Sequence, residues 1–202
     1  MNGCFRYVKQ INDNYVVKMP LAEHQDEALE ARDVSYDSDI CCADEDAGWF
    51  SNLSELAVYQ KFGDKCAALC PIDVEKSSAD EIYMRLAQLP TVNGAWEEGG
   101  WTQREKDAID DAMEDLFQEY GVRLHVPTYG LRKDVIEEEC GDPLEAFKKF
   151  YLDMVQNLPH NVCREILYDM HCNNWGIVDG RLVTIDYGAT SNDSALYDEE
   201  YC

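Results

Sequence analysis

The stretch Tyr168-Asp169-Met170-His171-Cys172-Asn173-Asn174-Trp175-Gly176, continued by Ile177-Val178-Asp179-Gly180-Arg181-Leu182-Val183-Thr184-Ile185-Asp186-Tyr187-Gly188, decides the reading of this chain. Two apolar runs, residues 175–178 and 182–185, flank Asp179-Gly180, a pair that accepts the positive φ angles of a two-residue β-hairpin turn. The entry loop of that hairpin carries Asp169 and Asn174, and Asp186 stands where its second strand ends, so three oxygen-bearing side chains are expected at one end. Such a set suits Mg2+, a hard cation that takes carboxylate and amide oxygens and keeps several waters. Any one of these residues alone reads as an ordinary turn-forming Asp or Asn. Features far upstream give the combination its weight.

The chain has 202 residues, of which 46% are hydrophobic, enough to bury a core as one domain or as two small lobes around a cleft. Its net charge of −24 argues against direct nucleic-acid binding and against an anionic membrane surface. A basic protein partner, solubility or mimicry of a polyanion fits that charge better. Nine cysteines, an odd number that includes the adjacent Cys41-Cys42, and the lack of an apolar leader lead to the expectation of a reducing cytoplasm. No apolar run approaches bilayer-spanning length. Cys66 and Cys70, with Cys41-Cys42, match no zinc spacing closely and read as buried free thiols. His24, His125, His160 and His171 also lack metal spacing.

Residues 5–11 and 15–19 read as a first hairpin, turned at Asn12-Asp13-Asn14. Period-two alternation puts Val16 and Lys18 on one face of its second strand and Tyr15, Val17 and Met19 on the other. For Lys18 alone, a solvent-facing lysine on an edge strand is the default. Residues 22–48 hold ten carboxylates against Arg32 and read as a solvated acidic insertion. A helix is expected over about 52–62, with Asn52 as N-cap and Glu55 at the third position of a capping box. Residues 67–74 and 81–87 look like further strands, and Pro90 with the following glycines marks a boundary. Beyond it the chain is mainly helical: residues 102–120, a short helix near Val135, 143–158, and a short or irregular piece over 163–167.

The order is a strand pair with a lysine, a helix with an early glutamate, more strands, helices, and then a loop and hairpin with Asp, Asn and Asp. This resembles the protein kinase-like superfamily. Tyr15-Val16-Val17-Lys18 resembles the strand whose lysine holds the nucleotide phosphates, and Glu55 the helix glutamate that orients it. Asp169 followed five positions later by Asn174 keeps the catalytic-loop spacing, and Asp186-Tyr187-Gly188 stands where the family has its Asp-Phe-Gly metal motif.

The resemblance implies an α+β, two-lobed protein kinase-like fold. An antiparallel N-lobe sheet plus one helix would span residues 1–89, and a truncated, mainly helical C-lobe 90–202. It implies an ATP- and Mg2+-dependent phosphotransferase with Lys18, Glu55 and Asp169 as its catalytic set. Lys18, Val16 and Val8 would contact the nucleotide, and Asn174 and Asp186 would hold metal. His171, two after the aspartate, makes the loop similar to aminoglycoside phosphotransferase-like enzymes. Asp169-Met170-His171 with the following Asn is similar to the serine/threonine kinases of T7-like bacteriophages, which implies a protein substrate, or the chain itself, in a host cytoplasm.

Three departures bear on that expectation. Gly3-Cys4-Phe5-Arg6-Tyr7-Val8 has a single glycine where the family's phosphate-covering loop has several. Leu167-Tyr168-Asp169 replaces the His-Arg-Asp triplet. Fourteen residues follow Gly188, so the later helices that bind peptide in protein kinases are not expected. The alternative is a pseudokinase or an acidic interaction or inhibitor protein that binds a basic partner surface.

Overall fold

The computed structural model describes residues 6–20, 47–91 and 99–188. Strand β1 (Arg6–Gln10) turns back into β2 (Tyr15–Pro20) at Asn12, whose Oδ1 accepts the N–H groups of Asn14 and Tyr15 at 2.8 and 3.0 Å. Strand β3 (Ile82–Arg85) pairs with the other side of β2, giving an antiparallel sheet in the order β1-β2-β3. Directly paired residues share a face. The register therefore sets Val8 beside Lys18 and Val16 beside Met84 on one side, while Tyr7, Val17 and Met19 cluster on the other. Because β2 is the middle strand, Lys18 is no edge-strand lysine in solvent; it is 4% exposed.

Helix α1 (Ala47–Phe62) packs on β2. It starts before Asn52, so the expected N-cap there is wrong. Asn52 is buried inside the helix, and its side-chain amide donates to the carbonyls of Ala79 at 2.9 Å and Lys18 at 3.4 Å. Glu55 is likewise released from a capping role. The expected strand over residues 67–74 forms only isolated bridges, Leu69 beside Thr184 and Ile72 beside Met84. Pro71 between them has no N–H to give a ladder, and its carbonyl accepts the N–H of Arg85 at 2.7 Å.

Helix α2 (Gln103–Tyr120) opens on a capping box between Thr102 and Glu105 and closes at Gly121, whose φ of 74° suits a residue without a Cβ. A 3-10 turn (Thr128–Gly130) precedes α3 (Lys133–Cys140), the short helix expected near Val135. Helix α4 (Pro143–Asn157) is capped by Asp142 and buries Phe147, Phe150, Tyr151 and Met154. Helix α5 (His160–Tyr168) outruns the expected 163–167, because Val162, Cys163, Ile166 and Leu167 make one apolar stripe.

A 3-10 turn (Cys172–Asn174) then leads into the hairpin of β4 (Trp175–Val178) and β5 (Arg181–Thr184). Asp179 and Gly180 have φ of 51° and 73°, the two positive angles of a type I′ turn. The hairpin lies on α4, with Trp175 fully buried against Phe147 and Phe150 at ring-centroid distances of 5.4 and 4.6 Å. Cys66 and Cys70 are buried free thiols, as expected, and Cys163 is a third; burial pushes each up to about 12.

The described residues thus form an α+β structure with a three-stranded antiparallel sheet, a two-stranded sheet and five α-helices. None of these helices is long and apolar enough to cross a membrane. The acidic stretch through residue 46, Cys41-Cys42, His24, Gly3-Cys4-Phe5 and the tail after Gly188 lie outside the described residues.

Candidate functional site

Between the three-stranded sheet and the segments that enter β4 and leave β5 lies a cleft of about 370 Å³. That is within the range of small-molecule sites, and its make-up is typical of them: an apolar wall with a few converging polar groups. Val8, Val16 and Met84 come from the sheet face fixed by the strand register, and Leu86, Ala87 and Leu89 from the segment after β3. Gln88 exchanges both backbone hydrogen bonds with Ile177, at 3.0 and 2.8 Å, and so ties that segment to the hairpin. The polar side is made by Arg6, Lys18, Arg85, His171, Asn173, Asn174 and Asp186.

Lys18 and Glu55 meet because β2 presents one and α1 the other. Lys18 Nζ is 2.9 Å from both carboxylate oxygens of Glu55 and also donates to the carbonyl of Ile185. Glu55 has no exposed surface. Its Oε1 accepts the backbone N–H of Tyr187 at 3.2 Å, and its Oε2 accepts Nη1 of Arg6 at 2.5 Å. The other arm of the same guanidinium, Nη2, donates to Asp186 Oδ1.

Two cations and two carboxylates therefore share one cluster, in which Arg6, Lys18 and Glu55 are buried and Asp186 is partly exposed. Isolated burial of any of the first three would cost several kcal/mol, and mutual pairing is what makes it tolerable. Burial works against the charge on Arg6, yet the carboxylates of Glu55 and Asp186 outweigh it and raise its pKa. Burial and the neighbouring Arg6 lower the pKa of Lys18, against the pull of Glu55 and Asp186. For Asp186, burial favours the neutral acid, but Arg6 and Lys18 hold the carboxyl below its usual range.

Asp169 caps the end of α5 with its N–H on the carbonyls of Glu165 and Ile166 and is exposed. Asn174 is tied to it: the amide Nδ2 donates to the Asp169 carbonyl at 2.8 Å and to its Oδ2 at 3.3 Å. Those two donations leave Asn174 Oδ1 as an acceptor. Partial desolvation and the nearby Asp186 charge raise the Asp169 carboxyl above its ordinary value, while His171 and Asn174 act the other way. His171 Nδ1 accepts the N–H of Asn173 at 3.3 Å, which shapes the turn.

Tyr187, next to Asp186, is part of the core. Its hydroxyl donates to the carbonyl of Cys70 at 2.9 Å, and the ring is buried. Gly188 follows where a Cβ would lie 2.1 Å from the carbonyl oxygen of Ser51, so the motif approaches α1 too closely for any side chain.

Of the residues chosen from the sequence, Lys18, Glu55 and Asp186 converge, and Val8, Val16 and Asn174 line the same cleft. Asp169 joins through Asn174 and is not itself part of the lining. Arg6 was missed. Its spacing from Val8 marks a shared face, but only the pairing of Val8 with Lys18 reveals that the face is this one.

Among the described residues, no three His, Cys, Asp or Glu side chains cluster in the manner of a protein-built metal cage. Asp186 and Asn174 instead offer a carboxylate and an amide oxygen. That donor set fits Mg2+, which is commonly held by one or two carboxylates together with substrate phosphates and water. The chain matches no family model, and comparison with curated proteins and with solved structures yields no match.

Proposed function

We propose that this chain is an ATP- and Mg2+-dependent phosphotransferase of two-lobed, protein kinase-like architecture, acting on a hydroxyl of a protein substrate or of the chain itself. The observation that carries the reading is the buried Lys18–Glu55 pair, presented by a middle strand and the helix packed on it, across a cleft from Asn174 and Asp186. Residues 1–89 and 90–202 are the two lobes on this reading, their boundary falling in the segment after β3.

Phosphoryl transfer asks for positioning and charge neutralisation more than for covalent help from the protein. Lys18 reaches the α/β-phosphates and is aimed by Glu55. Val8 and Val16 pack on the adenine. Asp186 and Asn174 would hold the Mg2+, which would supply neutralisation of the phosphate charge. Asp169 orients the acceptor hydroxyl and takes its proton as the oxygen bonds to the γ-phosphorus and ADP departs. The raised pKa of Asp169 suits that task, because a stronger base accepts the proton more readily.

A second reading is favoured by one contact, the Arg6 guanidinium on Asp186, which occupies the metal-binding carboxylate. On that reading the chain binds a nucleotide or a basic protein partner without catalysis. One experiment separates the two. Labelled ATP with Mg2+ should put phosphate into the chain or a generic protein acceptor, and Asp169→Ala or Asp186→Ala should remove the incorporation. Incorporation unchanged in both variants overturns the phosphotransferase reading. Nucleotide binding without incorporation in the unmodified chain selects the second one.

A further inference from the structure

We infer that Arg6 is a phosphate-binding residue that also controls the divalent cation: it releases Asp186 when it moves onto the nucleotide phosphates, and so makes metal binding conditional on the nucleotide. The inference rests on the nucleotide reading of the cleft.

Three observations lead to it. First, Arg6 is 3% exposed and lines the cleft beside Lys18, on the sheet face that overlooks Asn174 and Asp186. A buried guanidinium in a ligand cleft is a strong site for phosphate, because its planar fork donates two parallel hydrogen bonds to an oxyanion. Second, the segment before it has one glycine where several would be needed to wrap backbone N–H groups around phosphates. A side-chain cation at the start of β1 supplies oxyanion donors without that backbone. Third, Arg6 spans Glu55 and Asp186 with separate nitrogens, so it is held by two carboxylates that differ in their other partners. Glu55 keeps Lys18 and the Tyr187 N–H if Arg6 leaves. Asp186 loses its direct side-chain cation.

The last point makes the switch electrostatically consistent. With Arg6 in place, the cluster of Arg6, Lys18, Glu55 and Asp186 balances two positive against two negative groups. A divalent ion added to that balanced cluster would share one carboxylate with a guanidinium and meet repulsion at short range. A triphosphate brings negative charge that draws the guanidinium away, and the vacated Asp186 then carries an uncompensated charge that attracts the metal. Arg6 and the cation thus exclude one another on Asp186 and cooperate once phosphates are present. Linkage requires the reverse effect as well: the metal must tighten nucleotide binding by the same factor.

The test uses the full chain, Mn2+ as a spectroscopic substitute for Mg2+, and a non-hydrolysable ATP analogue. Free Mn2+ is read by electron paramagnetic resonance and analogue binding by calorimetry. In the unmodified chain Mn2+ should bind weakly alone and about tenfold or more tightly with the analogue. Arg6→Gln, which keeps a donor for Glu55 but removes the charge, should bind Mn2+ without the analogue about tenfold more tightly and the metal-free analogue about tenfold more weakly. Arg6→Lys, which keeps the charge, should retain weak Mn2+ binding alone; if Arg6→Gln fails to fold, the unmodified chain carries the test, and a Mn2+ affinity that the analogue leaves unchanged overturns the switch. Equal Mn2+ and analogue affinities across the three proteins overturn the role of Arg6. Absence of analogue binding to the unmodified chain, with or without Mn2+, overturns the nucleotide reading instead, and the transfer of Arg6 with it.

Discussion

Glu55 is the residue on which the site converges, since it alone accepts from Lys18, Arg6 and the Tyr187 backbone together. Replacing it with alanine takes the shared carboxylate from two buried cations and one N–H, leaving Lys18 with the Ile185 carbonyl and Arg6 with Asp186, and should cost about 3–5 kcal/mol of stability. Lys18→Met removes one donor and leaves Glu55 with Arg6 and Tyr187, so its loss should be clearly smaller. Urea unfolding of the two variants, compared at equal m-values, checks the order. A Glu55→Ala change that unfolds no more easily than Lys18→Met would mean the cluster is not held by its carboxylate. Lys18 was a candidate through the resemblance of its strand, and alternation along that strand set it on one face with Val16. Arg6 was not, because cross-strand register depends on pairing that the local pattern does not state.

At the scale of elements, the β4–β5 hairpin and α2 were legible because local chemistry fully specifies them. Asp179-Gly180 dictates the turn, and Thr102 with Glu105 dictates the helix start. Gly180→Ala should therefore destabilise by about 1–2 kcal/mol, the cost of a left-handed backbone for a residue with a Cβ, read as a lowered midpoint in thermal unfolding. No change would show that the turn relaxes to another type. Helix α1 was misjudged at its start for a physical reason: its buried positions include Asn52, Ser54 and Glu55 beside Leu56, Val58 and Phe62. Polar residues on the inward face erase the apolar period that announces a helix. The same residues are there because they serve the sheet and the cleft, so the site itself disguised the element that builds it.

Across the whole molecule, buried thiols set an alkaline limit on stability. Cys66, Cys70 and Cys163 have their pKa raised by burial from an ordinary 9.0 to about 12. The folded chain keeps these groups protonated where the unfolded chain has lost the proton, so the unfolded state binds fewer protons between those values. Their stabilising contribution is complete below pH 9 and is lost as pH rises toward 12. Each thiol then removes about 1.4 kcal/mol per pH unit at most. Urea unfolding midpoints measured across that window should fall steeply, and a flat response would show that the three sites admit water. The α+β class and the convergence of Lys18, Glu55 and Asp186 were expected through the resemblance that the order of elements carries. The strand expected over 67–74 does not form, because one proline reduces it to bridges that only the neighbouring strands make possible.

Trp175 follows Asn174 directly and has no exposed surface, with Phe147 and Phe150 against its ring. Optically, an indole in such hydrocarbon surroundings emits at short wavelength, whereas the part-exposed Trp49 emits as a hydrated indole. Any event that shifts Asn174 moves the backbone of the neighbouring chromophore. The molecule thus carries its own fluorescent gauge of the cleft, without a label.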